Sequence, residues 1–244
     1  MGTFKDSLKK WFYTTNTAAA TTSSRIPLVD SSGNPIGSDT PSNCELKQPL
    51  YTGNVFVASY DSNYLRFRQP SQYSSYTSTA VGVGVIEGGK CIIVAKDQVV
   101  STKWATSTQS TAIGTTLGRE AAIADMSGRS RTAAIISALG NDAPAATYCN
   151  GYYPSNVESS NSYVGAGRWW LPSFGELVMI WSHLVEINRL LSAIGGTPLN
   201  TSQWYWSSTE YSASGAWYLT FNSGLFGGSS KTSAYSVRPV SAFY

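Results

Sequence analysis

Residues 167–177 read GRWWLPSFGEL, and this stretch begins the most regular helix pattern in the chain. Ser173 follows a proline and precedes Glu176 by three positions, which is the capping box that starts an α-helix. Apolar residues then recur at alternating spacings of three and four as far as Ile194, and two glycines follow. The pattern predicts one long helix from Ser173 to about Ala193 that packs on a core. A coiled coil is the rival interpretation, but the apolar stripe is short for one.

The chain changes character from Trp204 onwards, where short strands and loops replace the helical pattern. Residues 216–221, AWYLTF, alternate between large apolar and other residues, as a half-buried strand does. Residues 222–224 and 227–230 are rich in Ser, Gly and Asn and predict turns or loops. Large residues interleave with small ones, so we expect the small ones on loops and outward strand positions, where period 2 places them on one face as one contiguous exposed patch. We expect a buried frame of Trp170, Leu177, Trp206, Trp217 and Phe221.

The clearest strand signal in the first half is residues 81–95, VGVGVIEGGKCIIVA. Two β-branched runs separated by Gly-Gly predict a tight hairpin, because a type I′ turn needs positive φ at both central positions. Residues 55–59 and 64–68 are also strand-like and flanked by turn residues. We place the start of the main domain near residue 79.

The N-terminal part has a different composition. Phe4, Leu8, Trp11 and Phe12 follow helical spacing, and residues 14–24 form a low-complexity Thr/Ala/Ser linker. The helix either packs on its own domain or serves for docking. The predicted organisation is an N-terminal helix, linker and attachment or extension segment at 1–50, a strand-rich connector at 51–78 and a ligand-binding domain at 79–244. Short helices are expected at 132–139 and 143–149, and residues 25–35 predict a short strand that leads into a Gly/Asn/Pro turn.

The composition favours recognition over catalysis. Charged residues make up only 13% of the 244 residues, whereas hydrophobic residues make up 42% and the chain has 15 Tyr and 8 Trp. The net charge of +3 comes without a basic cluster, which argues against nucleic acid as a partner. A single histidine, His183, argues against His-based catalysis and multi-His metal sites. His183 lies beside the apolar stripe and is interpreted as a boundary residue.

No run approaches the ~20 apolar residues that a membrane helix needs, so membrane insertion is not expected. The N-terminus lacks the apolar core of a signal peptide, and Asp6 stands where a myristoylation signal has Ser or Thr. Cys44, Cys91 and Cys149 are far apart and form no CxxC pair. They are interpreted as buried small hydrophobes, or as one disulfide and a spare thiol.

Several ordered motifs carry a family resemblance: GRWWLPS with Glu176, YWSSTE at 205–210, Ala216-Trp217, and VRPV at 237–240. The chain resembles the C-type lectin-like fold of the formylglycine-generating-enzyme type. More narrowly, it resembles the variable proteins of diversity-generating retroelements, which include phage tail receptor-binding proteins. The resemblance covers roughly residues 79–244 and implies an α+β fold with short strands, one long helix and much irregular loop. Arg238 is then expected to be held by carboxylate or carbonyl partners inside the domain.

The resemblance also implies a way of varying the surface. Adenines in Asn codons of a template are randomised, which can yield Asn, Ser, Thr, Tyr, Gly, Ala or Leu, but never Trp, Lys or Glu. Within a variable region of about 204–240, the residue types at 17 predicted positions obey this restriction, whereas Trp204, Trp206, Glu210, Trp217 and Lys231 are framework. The predicted ligand-binding residues are Tyr205, Ser212, Ala213, Ser214, Gly215, Tyr218, Thr220, Asn222, Ser223, Leu225, Gly227, Gly228, Ser229, Ser230, Thr232, Ser233, Ala234 and Ser236.

The chain departs from two relatives of this fold. It lacks the Pro-centred acidic triplets of calcium-dependent lectins, so no metal and no cofactor are expected. The formylglycine-generating enzymes need a reactive cysteine pair, but the last cysteine here is Cys149. Ser207 and Ser208 with His183 form no nucleophile motif, so no catalytic residues are predicted and the chain is not expected to be an enzyme.

The favoured function is therefore receptor recognition through a diversified C-terminal surface, in a phage tail-associated or cell-surface protein. The expected partner is a protein or glycan on a target cell surface, and the expected location is a virion (phage tail) or the cytoplasm of the producing cell. Homo-oligomerisation and attachment to a phage particle through the N-terminus are both left open. The alternative is a structural or adhesin-like surface domain of the same fold without diversification.

Overall fold

The computed structural model describes residues 26–29, 35–39, 53–61, 64–107 and 116–242. The chain divides into two compact units, residues 1–52 and 53–244. In the first unit, strands β1 (Ile26–Val29) and β2 (Pro35–Asp39) pair antiparallel. The predicted helix between Phe4 and Phe12 lies outside the described residues.

The second unit contains the remaining strands and helices of the described chain. In chain order its strands are β3 (Val55–Asp61), β4 (Tyr64–Arg68), β5 (Ala80–Glu87), β6 (Lys90–Ala95), β7 (Val99–Lys103), β8 (Trp204–Glu210), β9 (Gly215–Thr220), β10 (Phe226–Ser230), β11 (Ala234–Val237) and β12 (Val240–Ser241). Its α-helices are α1 (Arg119–Ile123), α2 (Gly128–Leu139), α3 (Pro144–Gly151), α4 (Phe174–Ser182) and α5 (Leu184–Ala193). The mixed α+β class is therefore confirmed.

The first five-stranded sheet is antiparallel, in the order β12-β6-β5-β3-β4. Its central hairpin follows the sequence prediction, since Gly88 and Gly89 have φ values of 55° and 76° and join β5 to β6. Residues 51–78, expected as a connector, supply β3 and β4 to this same sheet. The compact unit accordingly runs from Gly53, ahead of the domain start near residue 79 that the sequence suggested.

The second sheet has the order β10-β9-β8-β11-β7. Its strands pair antiparallel except for β8 and β11, which run parallel. This sheet is assembled almost entirely from the last 41 residues, and among the described residues of the first half of the chain β7 alone contributes to it. Strand β10 lies at one edge, where its partner on the inner side is β9.

The single long helix predicted from residue 173 to about 193 is wrong, because the chain breaks it at His183. That residue has φ −115° and ψ 16°, and its ring nitrogen lies 3.0 Å from Glu87. Helix α4 packs mainly on β8 and β9 of the second sheet, with a smaller contact to β5, whereas α5 packs on β3 and β5 of the first sheet. The packing partners of the two helices therefore change at the break. Helix α4 begins where the sequence predicted, because Glu176 accepts a 2.8 Å hydrogen bond from the Ser173 backbone N–H.

The core confirms the predicted frame. Trp170, Leu177, Trp217 and Phe221 are buried in one large cluster between the sheets and helices α4 and α5. Trp206 is buried in a second cluster, where α2 and α3 cover part of the opposite face of the second sheet. The central strands β8 and β9 are therefore packed on both faces, whereas the edge strands β7 and β10 reach solvent.

Arg238 has the structural role that the resemblance implied. Its side chain is fully buried and donates to the carbonyl oxygens of Ala95 (2.8 Å), Lys96 (3.0 Å) and Thr197 (2.6 Å) and to Oε1 of Gln98 (2.8 Å). Burial lowers the pKa of Arg238 to about 10, which still leaves it charged at neutral pH. One cation thus joins the segment after β6, the segment after α5 and the end of β11.

Candidate ligand-binding site

Three aromatic rings are grouped on strands β8, β9 and β11 of the second sheet. Tyr218 stacks on Trp204 with ring centroids 4.6 Å apart and planes 5° apart. Tyr235 meets both rings edge-on, at 5.0 Å from Trp204 and 5.5 Å from Tyr218. Trp204 is 40% exposed, and the other two rings are half-buried. We call this surface, formed by Trp204, Tyr218 and Tyr235, the aromatic face.

Small predicted residues border the aromatic face. Gly227 pairs with Tyr218 across β9 and β10, so any side chain there would rest on the tyrosine ring. The hydroxyls of Ser229 and Tyr235 lie 2.7 Å apart, and Ser229 also donates to Ser233 at 3.4 Å. Partial burial raises the pKa of Tyr218, so its phenol remains a neutral donor. The face therefore offers flat rings with hydroxyl groups at their rim.

A groove of about 760 Å³ lies on the other side of β10. We call it the edge groove, and its lining residues are Arg119, Tyr211, Trp217 and residues 223–228. The guanidinium of Arg119 lies 4.9 Å from the Phe226 ring centroid. Tyr211 meets Trp217 edge-on at 4.9 Å and, like Leu225, is at least half exposed. A Cβ at Gly228 would lie 2.2 Å from the Tyr211 ring, so any other residue there must displace that tyrosine.

Most of the predicted ligand-binding positions reach solvent at these two surfaces or in the loops that border them. Those that are exposed or half-buried are Ser212, Ala213, Ser214, Tyr218, Asn222, Ser223, Leu225, Gly227, Gly228, Ser229, Ser230, Thr232, Ser233 and Ala234. They were expected to form one face. They instead lie on both sides of β10, because successive residues of an edge strand point to opposite faces.

Four predicted positions are buried, and their assignment to the binding surface is wrong. Tyr205 is in the core, where its hydroxyl donates to Gln98 at 2.8 Å. Thr220 and Ser236 are small polar residues whose hydroxyls are satisfied inside, by the Leu225 carbonyl and by Gln203 respectively. Gly215 is also buried, because the turn at residues 211–214 folds over it.

A fully buried ion pair holds the loops that border both surfaces. Lys231 Nζ contacts Glu210 Oε1, donates to the Ala213 carbonyl at 2.9 Å and lies 4.6 Å from the Trp104 ring centroid. The backbone N–H of Lys231 donates to Ser214 at 2.9 Å. Framework residues thus set the path of the loop between β8 and β9 through backbone and buried contacts, and its exposed side chains are free to differ.

Sequence reasoning missed three residues of the site. Trp204 was assigned to the frame because of its size, yet it opens β8 at the uncovered end of the sheet. Tyr235 alternates with buried Ser236, so strict period-2 reading of β11 would have found it. Arg119 lies about 100 residues before β10, and nothing local in the sequence places it beside Phe226.

A second open cavity, of about 620 Å³, lies apart from the predicted residues and is lined by Lys90, Cys91, Arg129, Trp170 and Glu176, among others. Glu176 accepts hydrogen bonds from the Trp170 indole and the Ser173 backbone, at 3.1 and 2.8 Å. Burial nevertheless raises its pKa to about 7. In the described part of the chain, no three His, Cys, Asp or Glu side chains come together as metal ligands would, and no helix is long and apolar enough to cross a membrane.

A family model described as the Lcl C-terminal domain matches residues 94–241, which is more than half of the chain. The chain belongs to the Lcl C-terminal domain family. This is a family of C-type lectin-like variable proteins, so the recognition made from the motifs is confirmed at the level of the family.

Two further comparisons place this member of the Lcl C-terminal domain family. The search of curated proteins gave no match. Among solved structures, this chain is similar to a fimbrial protein from Bacteroides ovatus, with a TM-score of 0.57 and 14% sequence identity. The alignment covers 77% of this chain and 48% of that one, so the chain spans about half the length of the fimbrial protein. At this identity the likeness concerns the fold.

Proposed function

We propose that this protein binds a ligand through the aromatic face and the edge groove, and that these surfaces are diversified on a constant C-type lectin-like frame. One observation carries the proposal. All but four of the predicted positions are exposed or half-buried, while Trp217 and Leu219, which flank the half-buried Tyr218 on β9, are buried. Family membership and the likeness to a fimbrial protein support a surface or ligand-binding role in general terms.

The chemistry of the exposed set suits recognition. Tyrosine presents a large amphipathic ring with few rotatable bonds, while Ser, Gly and Asn provide adaptable hydrogen bonding. Tyr218 and Tyr235 are already packed against Trp204, so little entropy is lost when a ligand contacts them. The partner we propose is a protein or glycan on a target cell surface, and the proposed setting is a phage tail or a cell surface.

The proposal is tested by a graft. The exposed positions of the set receive the residues of another member of the family, and melting temperature and binding to a panel of bacterial cells are measured. Gly228 is left unchanged in the graft, because a side chain there must displace Tyr211. Each other exposed replacement should change stability by less than about 0.5 kcal/mol, whereas the pattern of cells bound should change. Matched controls replace Tyr64 and Val185, which are exposed outside the two surfaces, and should leave that pattern unaltered.

An unchanged binding pattern in a well-folded graft would contradict the proposal. The DNA next to the gene separates diversification from the alternative of a constant structural or adhesin-like domain. Diversification requires a template repeat that differs from the 3′ end of the gene mainly at adenines, together with a reverse transcriptase gene.

A further inference from the structure

The edges of the two five-stranded sheets are protected to different degrees. Edge strands usually avoid unwanted pairing by being short, by carrying charges or by bulging. Strand β12 has two residues, and β4 carries Arg66 and Arg68. Strand β7 carries Lys103, has Ser101 at φ 57°, and faces a register shift in β11. Each of these three edges therefore has a recognised protection.

Strand β10 has none of these protections. Its sequence, FGGSS, contains no charge and no proline, and its register with β9 is continuous over five pairs. Two adjacent glycines remove side chains that would shield the backbone. Within the described residues, no strand pairs with its outer side. An uncharged edge with a continuous register is a template for an additional strand.

Hydrogen bonds at both ends of β10 determine which backbone groups point outwards. The Leu225 carbonyl accepts from the Thr220 N–H at 2.8 Å, and the Lys231 N–H donates to the Ser214 carbonyl at 2.9 Å. Both pairs therefore bond towards β9. Antiparallel strands alternate between bonded and non-bonded pairs, so residues 227 and 229, which lie at even spacing between Leu225 and Lys231, also bond towards β9. The first, third and fifth residues of β10 consequently direct their N–H and C=O groups away from the sheet.

Two of these outward residues have unused hydrogen-bonding groups. The described backbone offers no partner to the outward groups of Phe226 and Gly228, whereas the Ser230 carbonyl is taken by the Ser233 N–H at 2.9 Å. Gly228 is exposed. An incoming strand could thus form ladder bonds at two positions separated by one residue, which is the natural repeat of an antiparallel pair.

The edge groove beside β10 supplies side-chain contacts for such a strand. Tyr211 is 50% exposed and Leu225 58% exposed, so the groove has apolar walls that solvent now covers. Arg119 is exposed above the Phe226 ring, and no described carboxylate forms an ion pair with it. One cation beside apolar walls complements a ligand that carries an acidic group between apolar ones.

We infer that an extended segment of a partner protein adds to β10 as a further strand, with an acidic side chain on Arg119 and apolar side chains between Tyr211 and Leu225. This inference rests on the proposed function and names the chemistry of its partner. A glycan lacks the alternating N–H and C=O groups that match Phe226 and Gly228. A second copy of β10 would bring no acid to Arg119, because residues 226–230 contain none.

The test uses defined synthetic peptides and the full chain. The probe is a fluorescent peptide of about nine residues, the length of a long strand, which alternates valine and threonine around a central glutamate. One control peptide has lysine in place of glutamate, and another has N-methyl groups on alternate backbone nitrogens. Binding is measured by anisotropy, and amide chemical shifts locate the peptide. We expect saturable binding of the glutamate peptide with shifts at residues 226–230, about fivefold weaker binding of the lysine peptide, and none of the N-methylated peptide.

Two protein variants separate the backbone from the charge. Arg119→Glu, at an exposed position, should reverse the preference so that the lysine peptide binds better. Gly228→Pro removes an outward N–H, which an edge strand tolerates, and should reduce binding of every peptide at least tenfold. Its melting temperature is measured as a folding check, since the proline ring must displace Tyr211. Arg119→Glu gives a result that does not depend on this check.

Three outcomes would overturn the inference: no saturable binding of the glutamate peptide, equal binding of the N-methylated peptide, or an unchanged preference in Arg119→Glu. Self-association of the wild-type chain that Gly228→Pro abolishes would also overturn it, by assigning β10 to a second copy. The proposed function is tested independently, because the graft changes exposed side chains and measures cell binding. If the graft changes cell binding but no peptide binds, the inference of an added strand is refuted and the proposed function stands.

Discussion

The buried pair of Lys231 and Glu210 offers the sharpest test of how the frame holds the binding loops. Both side chains are fully buried, and Lys231 also donates to the Ala213 carbonyl. Lys231→Met keeps an unbranched side chain, one heavy atom shorter, but leaves the Glu210 carboxylate buried without its cation. Loss of one partner of a buried pair costs about 3–5 kcal/mol, because the remaining charge is neither solvated nor paired. For a domain of this size the melting temperature should fall by roughly 6–20 °C.

The double variant Glu210→Met with Lys231→Met should recover most of this loss. Replacement of a buried ion pair by apolar residues of similar volume is often neutral or stabilising, although the Ala213 carbonyl would then lose a partner at a cost of about 1 kcal/mol. The effects of the single changes therefore should not add. Urea unfolding followed by tryptophan fluorescence measures all three variants, and a constant m-value shows that the comparison concerns stability.

The chain contains a matched control for this cycle. Arg189 and Glu186 form an ion pair one helical turn apart in α5, with side chains 49% and 36% exposed. Arg189→Met should cost less than about 0.5 kcal/mol, because solvent screens the pair. If Lys231→Met costs as little as Arg189→Met, or if the double variant loses the sum of both single losses, the pair does not anchor the loops.

Three further predictions concern single residues of the frame. Glu176 has a pKa of about 7 in the folded chain and an ordinary value near 4.5, so the folded state holds a proton that the unfolded state releases between these values. The unfolding free energy should therefore fall by about 3 kcal/mol as pH rises from 4.5 to 7, and Glu176→Gln, which keeps the capping acceptor, should remove most of that slope in urea titrations from pH 4 to 8. Arg238→Met should cost at least ~3 kcal/mol, since it removes four hydrogen bonds that a fully buried cation donates, and a loss near zero in thermal unfolding would contradict its structural role. Gly89→Ala, at φ 76°, should cost about 1 kcal/mol, whereas Gly118→Ala, at φ −64° with open space around it, should change the urea midpoint little.

The sequence by itself determined the features that depend on neighbouring residues. Gly88 and Gly89 tolerate the positive φ values of the β5–β6 turn, so these two residues are enough to predict the hairpin. Ser173 and Glu176 start α4 because the cap uses groups three positions apart. Alternation along β9 identified Trp217 as buried and Tyr218 as outward-facing, since the period of a strand is a local property.

Only the tertiary structure decided the features that depend on distant residues. The break at His183 accompanies a change of packing partners, since α4 packs mainly on the second sheet and α5 on the first, and the spacing of apolar residues is the same with or without it. Ser236 looks like a surface residue in sequence, but its hydroxyl is satisfied inside by Gln203, which lies 33 positions away in the chain. Arg119 reaches Phe226, and β10 becomes an edge, through strand order alone. The sequence determines the chemistry and local conformation of each residue, whereas the exposure of a side chain and the position of a strand at a sheet edge are determined only when the sheet is assembled.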